Sequence, residues 1–398
     1  MSDYKLEFTL RQHTPLIHFQ HDQEGATLRA TEVKAKLDRF LCQRLIGDAQ
    51  QNPLPLLKQN PVWRTWLIGG SEAKAPAFDY KINILDLDPE PEQGQTALIT
   101  RDDIGFWKKS RKGLKVKIFT YHLELKSTIN ECIHSFFALN NFGKRQSKAW
   151  GSFFPTTNEA LFSDYLLESG KPIYEYNGEV SGNPNSFYAR VTEVWRLLKS
   201  GKNVNNDYRK ALVFKYASEK GLRWDKRRIK KDILSLIESG SLRHTLISQR
   251  DPIDSTRFED GCDPVGEIYS DQQDNPDFQG EYRFVRAMLG LPELYEFQAG
   301  DQYIHQVSFS SPDVERFKSP VTFKVCNRRL FAILDSIPES MFSKSFSVSV
   351  KSKPRSGNRS IIGPVDMPST LITPSKGEFD LEEFMDKYFQ CLNFERIN

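Results

Sequence analysis

The run His18-Phe19-Gln20-His21-Asp22-Gln23-Glu24 is the only compact gathering of side chains that could hold a metal or move a proton. Two imidazoles three residues apart can share a metal ion, and either could act as a general base in phosphodiester cleavage. The run ends at Gly25 inside a polar stretch, where such residues are ordinarily just hydrated. His13, His122, His134 and His244 form no second constellation. Asp86 and Asp88 fall in "LDLDPEPEQGQ", which reads as an acidic, proline-punctuated exposed loop rather than a divalent-ion site. No P-loop, nucleophile elbow, zincin motif or dinucleotide fingerprint is present. The residues therefore point to recognition without chemistry, with no catalytic group, metal or cofactor expected.

Cations are arranged with more purpose. In "NFGKRQSKAWGSF", Gly143 and Gly151 bracket Lys144, Arg145 and Lys148, and Trp150 closes the run. Glycine lets main-chain N–H groups approach an oxyanion, lysine and arginine neutralise phosphates, and a tryptophan can stack on a base. The plainer alternative is a solvated loop whose Trp150 belongs to the core. Two more clusters carry one sign. Lys108, Lys109, Arg111, Lys112, Lys115 and Lys117 put six cations in ten residues with no acid. Between Arg209 and Lys231 ten Lys/Arg stand against two acids, interleaved with Tyr208, Phe214, Tyr216 and Trp224. The net charge of the 398-residue chain is only +3. A nearly neutral chain with single-sign clusters implies a divided surface, and a long polyanion is the economical partner.

Around these segments the elements are partly legible. Tyr4 to Arg11 alternates Leu6, Phe8 and Leu10 with Lys5, Glu7, Thr9 and Arg11, the pattern of a half-buried strand. Val33, Leu37, Phe40, Leu41 and Leu45 follow at helical spacing. Alternation of Phe119, Tyr121, Leu123 and Leu125 predicts a strand over 114–125. Thr128 and Glu131 match a capping box, followed by the apolar stripe Ile129, Cys132, Ile133, Phe136 and Phe137. Asn140, Asn141 and Gly143 supply helix-stop signals, so the basic loop begins where a buried helix ends. "WGSFFP" then starts a strand. This order predicts an α+β, ferredoxin-like unit over residues 1–160.

In residues 161–398 the spacing predicts helices over 189–200, 208–219 and 228–238, strands near Ser319, Leu330 and Phe346, and a closing helix in "DLEEFMDKYFQCL". The stretch from Asp251 to Glu281 has ten acids against one Arg and reads as loop or partly disordered. "KSKPRSGNRS" reads as a mobile hairpin or linker. Five cysteines lie scattered without a CxxC pair, which fits neither a zinc knuckle nor a disulfide framework. With no apolar stretch for a signal peptide or membrane span, the expectation is a soluble, cytoplasmic protein with no membrane partner.

"GKRQSKAWGS" resembles the glycine-rich loop of the RAMP superfamily, the CRISPR-associated RNA-binding proteins, whose pattern is roughly G-x-R-x-x-R-G-F-G-S. Gly143, Arg145, Lys148, Trp150, Gly151 and Ser152 take the matching positions, and Ala149 stands where the family usually has glycine. "TPLIHF…LRATEVKAKLDRFL", "MLGLPE" from Met288 and "RFKSPVTFKV" from Arg316 resemble segments of the first subunit of the Cmr (type III-B) effector complex. The resemblance implies two ferredoxin-like (RRM-like) domains, the second with helical, acidic-loop and hairpin insertions. It implies a non-catalytic subunit that caps a ribonucleoprotein filament at the 3′ side of the CRISPR RNA and helps capture target RNA, beside other RAMP subunits. Arg29, Thr31, Lys34 and Lys36 would join Lys144, Arg145, Lys148 and Ser152 around the RNA. Lys108, Lys109, Arg111 and Lys112 from one cluster, and Arg227 and Arg228 from the other, complete the candidate contacts. Two rivals follow from the same residues: a CRISPR RNA-processing endoribonuclease using His18 or His21, and a docking protein that binds a neighbouring subunit through its acidic stretch.

Overall fold

A computed structural model describes residues 3–18, 27–47, 52–97, 104–181, 183–204, 207–242, 280–291, 295–297, 303–354 and 361–398. The first sheet is built from β1 (Lys5–Gln12), β2 (Lys81–Asp86), β3 (Leu114–Phe119) and β4 (Phe153–Pro155), with α1 (Ala30–Ile46) and α2 (Leu123–Leu139) between them in sequence. All its pairs are antiparallel and the spatial order is β4-β1-β3-β2. Strand β1 thus lies centrally, paired with β3 from Lys5↔Phe119 to Leu10↔Leu114. One face carries Leu10, Leu114, Val116 and Ile118 into a core filled by Val33, Leu37 and Leu41 of α1 and Ile129, Ile133, Phe136 and Phe137 of α2. The expected stripes of both helices are the stripes that are buried.

Two local expectations fail. The strand predicted over 114–125 stops at Phe119, and its buried residues are Leu114, Val116 and Ile118, the opposite phase from Phe119 and Tyr121. Alternation in such a run suits either face, and the two helices select the aliphatic one. Helix α2 starts at Leu123, so Thr128 and Glu131 lie inside it and not at its cap. Thr128 Oγ1 donates back to the Glu124 carbonyl at 3.0 Å, and Glu131 accepts from Ser127 Oγ.

The acidic-loop reading is also corrected. Glu92–Ala97 is a strand, antiparallel to Ile104–Lys109, which in turn pairs with Leu16–Ile17. Asp88 is buried and accepts from the Arg111 backbone N–H at 2.7 Å, which holds its carboxyl below the usual carboxylate range.

Downstream come β5 (Ile173–Glu179), α3 (Pro184–Lys199), α4 (Leu212–Glu219), α5 (Asp225–Glu238), β6 (Tyr303–Ser310), β7 (Val321–Cys326), β8 (Arg329–Leu334), β9 (Ser345–Pro354), α6 (Leu381–Phe389) and β10 (Phe394–Arg396). The three mid-chain helices, the three strands and the closing helix occur where expected, with shifted ends. The chain divides into two compact units, one of residues 1–191, 322–333 and 395–398, the other of 192–321 and 334–394. In the first, β7-β8-β5-β10 form a second sheet. In the second, Tyr295–Phe297, β6, β9 and Ile362–Asp366 form an antiparallel sheet. Its core takes Ile229, Ile233 and Ile237, one i, i+4 stripe of α5, against Val307, Val348 and Val350. Part of the "KSKPRSGNRS" run is strand, since Lys351 and Lys353 pair with Gln306 and Ile304; residues 355–360 lie outside the described residues, as do 251–279 of the acidic stretch.

Candidate nucleic-acid interface

Helix α2 ends at Leu139, and the glycine-bracketed segment runs from Asn141 to the bridge that pairs Asn141 with Ser152. Gly143 and Gly151 hold φ of +77° and +66°. Space, not only torsion, demands glycine there. A Cβ on Gly143 would stand 2.3 Å from the Ile17 carbonyl oxygen, and one on Gly151 2.0 Å from that of Phe142. Ala149, where the family pattern has glycine, also adopts a left-handed φ of +63°, and so does Arg145 at +57°.

The loop amides turn inward. Gly143 N–H donates to Glu32 Oε1 at 2.9 Å, Lys144 N–H to the Ile17 carbonyl at 2.7 Å, and Gly151 N–H to the Pro15 carbonyl at 2.8 Å. Ser152 N–H donates to Thr14 Oγ1, and Ser152 Oγ to the Val325 carbonyl. The glycines therefore serve close packing of the chain on itself. These amides make no phosphate cradle.

Those side chains sort sharply. Trp150 is 0% exposed, its ring 5.4 Å from Phe187 and 5.6 Å from Tyr188, so the base-stacking role expected of it is corrected to a core role. Ser152 is equally buried. Lys148 forms a parallel bridge with Phe323, and its buried Nζ lies 6.0 Å from that ring. Arg145 and Lys144 remain half-buried at the surface. The Arg145 guanidinium hydrogen-bonds Tyr188 Oη and lies 5.1 Å from the Tyr188 ring centroid. Tyr188, at the start of α3, is a partner of the candidate site that sequence reasoning missed; no local spacing links it to a loop more than thirty residues earlier.

The start of α1 does meet the loop, as expected, but its lysines turn away from solvent. Lys36 Nζ bonds the Asn141 carbonyl and Gln146 Oε1 and lies 3.6 Å from Glu32. Lys34 Nζ binds Asp38 at 3.0 Å and the Phe78 carbonyl at 2.8 Å, 3.9 Å from the Tyr80 ring centroid. Both act as braces, and burial raises the carboxyl pKa of Glu32 and of Asp38. Arg29 and Thr31 stay exposed at the helix start.

Several cations of the single-sign clusters are paired with carboxylates in the fold. Lys108 pairs with Asp86 at 3.0 Å and Arg111 with Glu92 at 3.0 Å, while Lys115 and Lys117 share Glu7. Lys109 is half-buried, and burial lowers its pKa; Lys112 is exposed. In the other unit Arg228 pairs with Asp232 and Lys220 with Glu383, while Phe214, Tyr216 and Trp224 are buried. The Arg227 side chain lies outside the described residues. Phe214, Tyr216 and Trp224, read as part of a nucleic-acid signature, are core here, and most of the balancing carboxylates come from other segments.

His18 is 3% exposed, and His21, Asp22 and Glu24 lie outside the described residues. Among the described residues, His13, Glu159 and Cys326 bring three potential metal-ligand atoms within 4.8 Å of one another. His13 Nδ1 accepts from the Asn327 N–H at 3.3 Å, which leaves the neutral ring's proton on Nε2, the atom facing Cys326 Sγ at 3.5 Å and Glu159 at 3.3 Å. A metal on Nε2 would have to displace that proton and leave both ring nitrogens without one, so the triad is better read as a buried hydrogen-bonded group. Burial lowers the His13 pKa to about 3, in keeping with a neutral ring.

Lys324 ties the loop to its base. Fully buried on β7, its Nζ donates to the Phe137 and Asn140 carbonyls at 2.7 Å each and to the Phe153 carbonyl at 3.3 Å. These carbonyls stand at the end of α2 and the start of β4, so one ammonium clamps both ends of the segment.

Residues 3–202 match the family model of the Cmr1 N-terminal domain, and residues 208–398 that of the Cmr1 C-terminal domain. The chain belongs to the Cmr1 family. The resemblance to the RAMP superfamily and to the first Cmr subunit is thereby borne out. The apo crystal structure of Cmr1 from Pyrococcus furiosus aligns over 99% of this chain and 98% of that one, at 12% identity and a TM-score of 0.39. No curated protein matches the sequence. Among the described residues, no helix of this Cmr1-family chain is long and apolar enough to cross a membrane.

Proposed function

We propose that this Cmr1-family chain is an RNA-binding subunit of a type III-B CRISPR effector, holding the 3′ side of the CRISPR RNA, helping to capture target RNA, and performing no chemistry itself. The observation that carries this is Arg145. In a loop whose amides and Lys148 ammonium are turned inward, its guanidinium is held at the surface by Tyr188. A guanidinium offers five N–H donors, so a phosphate can be taken bidentately beside the Tyr188 bond. Lys144 adjoins it, and the exposed Arg29 and Thr31 begin the helix whose Glu32 meets the loop. The β4-β1-β3-β2 order in a β-α-β-β-α-β chain supports a ferredoxin-like reading of the N-terminal unit. Cytoplasmic location and assembly with other RAMP subunits belong to the same proposal.

Purified protein should shift a single-stranded guide RNA in a gel, and Lys144→Ala/Arg145→Ala should weaken that shift for every RNA sequence tried. Repeat RNA incubated with the protein in EDTA should remain intact. Site-specific cleavage that disappears in His21→Ala would instead establish the processing enzyme, and would remove the non-catalytic reading.

A further inference from the structure

The first sheet buries one face under α1 and α2 and leaves the other open. On that open face Lys5 and Lys81 are exposed, and Lys115 and Lys117 are half-exposed on the central strand β3. Register places Lys5 and Lys81 on either side of Phe119 across three strands. One row further, Lys117 stands between Glu7 and Asn83. Among the described residues of this face the four lysines have one carboxylate among them, Glu7, which touches Lys5 and lies 3.4 Å from Lys115 and 3.8 Å from Lys117. At the margin, Phe119 meets Tyr121 edge-on at 4.8 Å and Tyr121 meets Tyr4 at 6.0 Å. Tyr121 is 73% exposed and Tyr4 38%.

We propose that this open sheet face is a second RNA surface, where Lys5, Lys81, Lys115 and Lys117 hold the phosphates of a single strand and the Tyr121 and Tyr4 rings stack its bases. The inference rests on the RNA-binding reading above and places a new contact surface beside the loop. Excess positive charge alone would suit an acidic protein as well. Exposed rings beside the lysines decide for RNA, because every base presents a π-face and a carboxylate-rich surface does not. Residues two apart on a strand lie about 7 Å apart, so Lys115 and Lys117 can each take a separate phosphate along an extended backbone.

Photo-cross-linking the full chain to an oligouridylate, followed by peptide mass spectrometry, tests this directly. Cross-links are expected at Tyr121 or Tyr4. Lys81→Ala/Lys115→Ala/Lys117→Ala should lower the slope of log affinity against log salt by about 2, and Tyr121→Ala should weaken binding roughly tenfold, with melting curves showing both variants folded. Wild-type affinity in both variants, with cross-links confined to the loop, overturns the second surface and leaves the proposed function standing. Loss of a co-purifying protein subunit without loss of RNA also overturns it, in favour of an acidic partner. Failure of the wild-type protein to bind RNA at all overturns both readings.

Discussion

Gly151→Ala will lower the melting temperature of the N-terminal unit by roughly 10 °C, a loss of about 3 kcal/mol for a unit of this size. Two costs combine. A left-handed torsion costs a non-glycine residue about 1–2 kcal/mol, and Gly151 sits at φ +66°. The new methyl would also stand 2.0 Å from the Phe142 carbonyl oxygen and 3.1 Å from Leu16 Cδ1. Phe142 cannot step aside cheaply. It is fully buried, with Phe136, Phe137 and Phe153 at centroid distances of 5.6 to 6.0 Å, and its N–H donates to the Gly151 carbonyl at 3.0 Å. Forcing a well-packed backbone to shift costs about 1–3 kcal/mol more. Gly170→Ala is the control. Its φ is +65° but a Cβ there meets nothing within 4 Å, so only the torsional cost should appear. Equal melting shifts for the two variants would show that close packing at Gly151 is not the constraint.

Lys324→Met is expected to cost about 3 kcal/mol. A buried carbonyl left without its donor costs about 1–3 kcal/mol, and three lose theirs here; relief from burying an ammonium offsets part of the sum. The ammonium also faces the last carbonyls of α2, at the negative end of the helix dipole. Burial pushes the Lys324 pKa down to about 7, and that of Lys199 in the other unit to about 7. The unfolded chain, with ordinary lysines, therefore binds more protons than the folded one above pH 7, and stability rises with pH. The window to measure is pH 7 to about 7.5, where few of the unfolded chain's thiols have yet titrated. There each such lysine adds up to about 1.4 kcal/mol per pH unit, so the methionine variant should show a shallower rise in chemical denaturation. An unchanged slope would mean that Lys324 stays charged within the fold.

Both residues show which parts of the site the sequence could reveal. The stripes of α1 and α2 were legible because 3.6-residue periodicity is a local property that packing then obeys. The basic loop could be placed for the same reason, since Asn140, Asn141 and Gly143 mark the end of α2. What the loop does with its groups was not local. Its amides reach Glu32, Ile17 and Pro15, and Lys324 arrives from a strand about 180 residues away in a segment that reads only as "VTFKVC". The misread charge clusters share this cause. Lys108 and Arg111 find Asp86 and Glu92 across strand pairings, and Lys115 and Lys117 find Glu7 the same way, so counting charges along the chain overstated the positive surface. Trp150 looked like a stacking platform because its partners Phe187 and Tyr188 lie on a later helix.

The central claim is that Arg145 and Lys144 carry phosphate contacts from a loop the protein braces from behind. The most direct measurement is the affinity of a single-stranded guide RNA across a series of salt concentrations, for wild type and Lys144→Ala/Arg145→Ala. Wild type should weaken steeply with salt, and the double variant should bind more weakly with a log–log slope reduced by about 1.4, close to two lost contacts. Superimposable curves for the two proteins, with the variant's melting temperature intact, would contradict the claim.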